Sequence, residues 1–126
     1  MKDASFSLRA ARIAALRHQA LGDGILDVCL MRLAERLKPE EKRTDAIVAS
    51  NERKTEAAVD RLEKEVDALI ARPFDIGHVA IGSALAYLDF RFKNDRWRET
   101  HPRLTKWYEN FPERHTVHSC SVSDES

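Results

Sequence analysis

The stretch Phe74-Asp75-Ile76-Gly77-His78-Val79-Ala80-Ile81-Gly82 (FDIGHVAIG) decides how this chain is read. An aspartate and a histidine stand three residues apart at the head of the most apolar segment. A histidine oriented by a carboxylate is a general-base arrangement. The same spacing is also how a buried helix begins, and helical phase favours that reading. With Asp75 as N-cap, its carboxylate accepts the free N–H groups of the first turn. His78 then falls at the third helical position, from which a capping-box side chain reaches back. Phe74 and Val79 occupy the two positions of a hydrophobic staple. No nucleophile or oxyanion donor accompanies the pair, and Ser83 lies outside a Gly-x-Ser-x-Gly elbow.

Outward from this start, the pattern predicts a helix over residues 76 to about 92 that is apolar nearly all round, through Val79, Ala80, Ile81, Ala84, Leu85, Tyr87, Leu88 and Phe90. A helix apolar on every side is a central, buried one. Upstream, Leu8, Ala11, Ala15, Leu16, Leu26, Cys29, Leu30, Leu33 and Leu37 recur at three- and four-residue steps. They predict a helix of about 30 residues, ~45 Å long, starting near Ser5 or Ser7. Gly22 and Gly24 mark a bend in it, and Pro39 stops it. A second long helix starts at Thr44 or Asp45 and runs to Pro73, with a stripe of Ala58, Val59, Leu62, Val66, Leu69 and Ile70. Its other face is mixed Glu and Lys/Arg, including Arg61 and Glu65, and reads as solvated. After a loop at 93–96 a short helix spans about Thr100–Phe111. Pro102 sits in its first turn, and Leu104, Trp107, Tyr108 and Phe111 form its core face.

The result is an all-α fold: two long antiparallel helices, a buried central helix and a short C-terminal helix. No β-alternating run or hairpin turn is present. The 126 residues suit one domain with a real core. Lys plus Arg and Asp plus Glu are 21 each, so no net charge draws the chain to nucleic acid or an anionic membrane. No run approaches the roughly 18 apolar residues of a membrane span, and no signal-peptide core follows Met1. A cytoplasmic protein is expected. Cys29 lies in a helical pattern and Cys120 in a polar tail, which argues against a disulfide. His115-x-x-His118-x-Cys120 gathers soft ligands, but the segment is polar and terminal, so no metal is expected.

"PFDIGHVAIGSALAYLDFRF" (73–92) followed by "WRETHPRLTKWYENFPERHT" (97–116) resembles the C-terminal helical domain of bacterial-type cytosolic glutathione S-transferases. In that family a buried helix opens with Ser/Thr-x-x-Asp, and an "hP-x-L-x-x-W" segment and Arg-Pro-Ser follow. Here Asp75 stands in place of Ser/Thr, His78 in place of Asp, and Arg114-His115-Thr116 in place of Arg-Pro-Ser. "ALGDGILDVCL" (20–30) is similar to the family's long first helix. The likeness runs from about Leu8 to Thr116. It implies a helical domain over residues 1–116, with 117–126 a flexible polar tail.

The resemblance implies that this domain shapes the pocket for an apolar electrophile and forms the homodimer contact through its two long helices. Glutathione would be a co-substrate only when the domain is paired with a thioredoxin-like domain, which supplies the catalytic residue in the family. That domain has no counterpart in these residues, so the chain alone is expected to be inactive. Arg12, Arg17, His18 and Asp23 become candidates for ligand contact by resemblance, with solvated helix side chains or local hydrogen bonds as the plain alternative. Trp97, in a loop, is a candidate aromatic wall, whereas Trp107 and Tyr108 belong to the core stripe. The alternative function is a protein-interaction or assembly module using the exposed helical surface; an apolar-ligand carrier is a third reading.

Overall fold

The computed structural model describes residues 2–111, with side chains from residue 7 onward. The expected tail at 117–126, the Arg114-His115-Thr116 match and the His115, His118 and Cys120 group lie outside the described residues.

Helix α1 (Lys2–Arg36) begins before Ser5 and Ser7 and passes through Gly22 and Gly24 as one helix. At Gly22 the backbone of α1 meets the backbone of another helix. A Cβ there would stand 2.6 Å from the Ala80 carbonyl carbon. The turn after α1 is tied from both sides. The Arg43 guanidinium donates to the carbonyls of Lys38 and Arg36 at 3.0 and 2.8 Å, and Thr44 N–H donates to the buried Glu35 carboxylate at 2.7 Å. The two Arg43 bonds satisfy carbonyls at and just past the end of α1.

Helix α2 (Asp45–Lys64) returns antiparallel to α1, pairing Thr55 with Arg32 and Glu65 with His18. The expected single helix to Pro73 is two. The chain breaks at Glu65 (φ −106°, ψ 10°), and α3 (Val66–Ala71) follows. The break turns Glu65 toward α1 while Val66 and Leu69 stay buried; Ile70 ends up exposed.

Helix α4 (Ile76–Arg91) runs parallel to α1, with Gly77 against Ala15, Gly22 against Ala80 and Arg36 bonded to the Arg91 carbonyl at 3.0 Å. Past α4, Arg96 takes a left-handed conformation (φ 53°) and starts the short helix α5 (Trp97–Thr100), which the sequence reading had as loop. Helix α6 (Pro102–Glu109) carries Pro102 in its first turn and buries Leu104 and Tyr108. Among the described residues there is no strand. The core is one cluster in which Ile81, Leu85 and Leu88 of α4 meet Ile25 and Cys29 of α1, Leu62 of α2, Leu69 of α3 and Leu104 of α6.

The expectation that α4 is buried on every side is corrected. Ile76 and Val79 are exposed, and Ser83, Tyr87 and Phe90 are only half-buried. These five recur at helical spacing along one side of α4. The described helices cover its remaining sides and leave this stripe open.

Candidate functional site

The start of α4 is a complete capping box. Asp75 Oδ1 accepts the N–H groups of Gly77 and His78 at 2.9 and 3.3 Å, and His78 Nδ1 accepts the Asp75 N–H at 3.0 Å. His78 Nε2 donates to the Leu69 carbonyl at 2.8 Å, so one ring caps α4 and also satisfies an end carbonyl of α3. The Phe74 ring stacks on His78 with centroids 5.4 Å apart and lies 5.6 Å from the Phe111 ring.

The box continues into α1. Arg72 forks onto both Asp75 oxygens at 2.5 and 3.1 Å. Its third nitrogen donates to His18 Nδ1 at 2.9 Å. His18, 1% exposed, therefore carries its proton on Nε2, which donates to Glu65 Oε1 at 2.8 Å. Glu65 also pairs with Arg17, and with Arg61 at 2.7 Å. The chain of contacts from Glu65 through His18, Arg72 and Asp75 to His78 joins α1, the α2–α3 break, α3 and α4.

Burial pushes the Glu65 carboxyl up, but hydrogen bonds from Arg17, His18 and Arg61 outweigh it and hold the group at about 2. Arg72, then His78, hold Asp75 below the usual carboxylate range against the pull of burial. Burial lowers His18 below its ordinary value; Glu65 opposes this and Arg72 adds to it. The network is saturated. Both nitrogens of His78 and of His18 are engaged inside the fold, so neither ring is open to a substrate's proton. Cys29 is fully buried, and burial pushes its thiol up to about 11, away from nucleophilic use.

The sequence-derived candidates separate. Arg17 and His18 meet at Glu65. Arg12 and Asp23 are exposed on α1. Trp97, expected in a loop, is buried at the head of α5 and donates its indole N–H to Asp89 at 3.0 Å, beside the Arg98–Asp89 pair. Glu65 and Arg72 were not singled out from the sequence as site residues. Their partners on α1 lie 48 and 54 positions away at most, so no local pattern announces them. Among the described residues no three acids, histidines or cysteines group to hold a metal, and no helix is long and apolar enough to cross a membrane.

Open cavities lie among the described residues. One of about 680 Å³ lies between α1, α2 and the turn at 93–95, where Arg32 forks onto Asp95 at 2.7 and 2.8 Å and lies over the Phe92 ring. One of about 490 Å³ lies between α1 and α2 and is lined by Met31 and Ile47. The third, about 460 Å³, lies between α3 and α6.

The model of the glutathione S-transferase C-terminal domain matches residues 45–110. YibF, an uncharacterized GST-like protein of Escherichia coli K12, is 29% identical over 111 residues, covering 86% of this chain and 52% of that protein. A glutathione transferase family member from Pseudomonas fluorescens Pf-5, solved with S-(propanoic acid)-glutathione bound, is 33% identical with a TM-score of 0.78. The match covers 85% of this chain and 57% of that one. A glutathione S-transferase from Methylobacterium radiotolerans, in complex with glutathione sulfonate, is 28% identical with a TM-score of 0.74, over 87% of this chain and 53% of that one. The chain thus spans little more than half the length of these relatives. It belongs to the glutathione S-transferase C-terminal domain family.

Proposed function

We propose that these helices are the helical half of a glutathione-transferase protein and work against a thioredoxin-like domain that carries the glutathione site. The observation that supports this most is the open stripe on α4. A helix apolar all round is stable in water when all its sides are covered. Here one side, from Ile76 and Val79 to Phe90, is uncovered by the described helices. Burying such a face draws a partner.

In this reading the helices wall the pocket for an apolar electrophile, and the partner domain activates the glutathione thiol. The described residues fit that division. His18, His78, His101 and Cys29 are all buried, so they offer no accessible base or thiol. Arg12 and Asp23, exposed on α1, stand available for ligand contact, whereas the half-exposed Arg17 would reach a ligand only while paired with Glu65 or by leaving it. The Met31 and Ile47 groove between α1 and α2 supports a homodimer contact, and the reading places the protein in the cytoplasm. The second reading, an assembly module, rests on the same stripe with a different protein covering it.

The test joins the part of the Pseudomonas fluorescens relative that lies outside the match to residues 1–126 and follows amide exchange along α4. Protection of 76–90 relative to the chain alone, lost in Ile76→Asp, is the expected outcome. Equal exchange with and without the added half would refute the reading.

A further inference from the structure

The neutral His18 ring carries one N–H, and its neighbours are arranged around where that proton sits. Nε2–H donates to Glu65 Oε1 at 2.8 Å, and Nδ1 accepts from the Arg72 guanidinium at 2.9 Å. A guanidinium has five donors and no acceptor. A second proton, on Nδ1, therefore faces a cation at hydrogen-bond distance with no lone pair to receive it. On the other side the Arg17 guanidinium stands 3.4 Å from Nε2. Glu65, the carboxylate in contact with the ring, already serves Arg17, and Arg61 at 2.7 Å. The ring also has no room to turn away. A Cβ on Gly77 would stand 2.8 Å from His18 Cβ and 3.1 Å from an Arg72 nitrogen, so the first turn of α4 rests on both side chains. His78, in the same network, is placed differently: a second proton on its Nδ1 finds Asp75 Oδ1 at 2.9 Å.

We infer that His18 is a proton-operated latch on the start of α4: a second proton on its ring ejects Arg72, and the departing Arg72 releases Asp75. Two adjacent cations cannot share an enclosure in which His18 is 1% and the Arg72 side chain 8% exposed. His18 is fixed within α1, whereas Arg72 lies on the connection between α3 and α4, so Arg72 is the group that leaves. Asp75 then loses both fork bonds, at 2.5 and 3.1 Å, and the connection at 72–75 loosens together with the first turn of α4. Burial lowers His18 below 6.5, Arg72 adds to this, and Glu65 opposes it without cancelling it, so the latch works on the acid side of neutral. Glu65 and Asp75 stay ionised there, since their partners hold both below the usual carboxylate range. Ile76 and Val79, at the head of the open stripe, lie in the turn that loosens. Acid would thus weaken docking on that stripe; this consequence rests on the function proposed above, whereas the latch does not.

The full chain is followed by nuclear magnetic resonance from about pH 7.5 to about pH 5, the range in which histidines change charge. Ring nitrogen shifts report the proton on His18. Amide-exchange protection of Gly77 and His78, the two N–H groups that Asp75 accepts, reports the cap. Protection at both is expected to fall at least about tenfold as His18 takes up its proton, while Leu62 and Leu85 of the core keep theirs. His18→Gln offers a carbonyl to Arg72 and an N–H to Glu65 and takes no proton, so its protection should be flat with pH. Arg72→Gln removes the cation and should be flat as well; it carries the test if circular dichroism shows His18→Gln unfolded. A fall that persists in either folded variant would assign the pH dependence to another group, such as His78 or His101, and overturn the proposal. Constant protection in the parent would overturn it too. So would a fall shared equally by Leu62 and Leu85, which marks loss of the whole fold. Every outcome is read on the chain alone, so none depends on whether a partner docks on the stripe.

Discussion

His78 Nδ1 accepts the backbone N–H of Asp75 at 3.0 Å while Asp75 Oδ1 accepts the backbone N–H of His78 at 3.3 Å. The two residues cap each other, and this accounts for a histidine where the family's pattern has an acid. An ionised acid there also accepts the Asp75 N–H, but it has no N–H for the Leu69 carbonyl. His78 Nε2 supplies that bond at 2.8 Å and ties the end of α3 to the start of α4.

Asp75→Ala removes two first-turn hydrogen bonds and both oxygens that hold the buried Arg72. A lost N-cap costs about 0.5–2 kcal/mol, and an unpaired buried cation adds to it. Denaturant unfolding should show a loss of about 2 kcal/mol or more, with Asp75→Asn recovering part of it. A loss below about 0.5 kcal/mol would show that the cap does not anchor α4.

Acid stability should depend on Glu65. Its folded carboxyl is held at about 2 against an ordinary 4.5, so the folded state binds fewer protons than the unfolded chain between those values. Its contribution is complete above about 4.5 and is lost as pH falls toward 2. Stability measured against pH should fall across that window. In Glu65→Gln the starting stability should be lower and the fall shallower.

His18 acts in the same direction at higher pH. Its folded pKa is lowered from 6.5, so the unfolded chain takes up its proton first as the solution is acidified. The stability it confers is present above 6.5 and fades as pH drops through the lower folded value. His18→Gln should remove that slope just below neutral pH; an unchanged slope would show that His18 does not titrate as a buried neutral ring.

The glycines of α1 give a paired test. Gly22→Ala sets a Cβ 2.6 Å from the Ala80 carbonyl carbon and forces α1 off α4, at about 1–3 kcal/mol. Gly24→Ala meets nothing within 4 Å and should stabilise by about 0.5–1 kcal/mol through helix propensity. Thermal melts of the two variants should shift in opposite directions.

The helices were legible in the sequence because each signal is local. Asp75, Pro39, Pro102 and the three-four spacing of apolar residues act within one or two turns. What the sequence left unread acts at a distance. The break at Glu65 follows from its pull toward Arg17 and His18, nearly fifty positions away. Arg61 and Glu65 have the i, i+4 spacing of a solvated pair and do pair at 2.7 Å, so the spacing concealed the second role of Glu65. Trp97 looked open because the short α5 has too few residues to show a period, yet its indole N–H finds Asp89 and the ring is buried. The apolar residues of α4 lie nearly all round the helix. Which side stays uncovered depends on where the other helices lie.

The central claim is that these helices carry the pocket wall and that a thioredoxin-like domain carries the thiol chemistry. The most direct measurement is glutathione conjugation to 1-chloro-2,4-dinitrobenzene, for residues 1–126 alone and joined to the part of the Pseudomonas fluorescens relative that lies outside the match. The account predicts no rate above the uncatalysed background for the chain alone and a rate above that background for the joined protein. Conjugation by the 126 residues alone would contradict it.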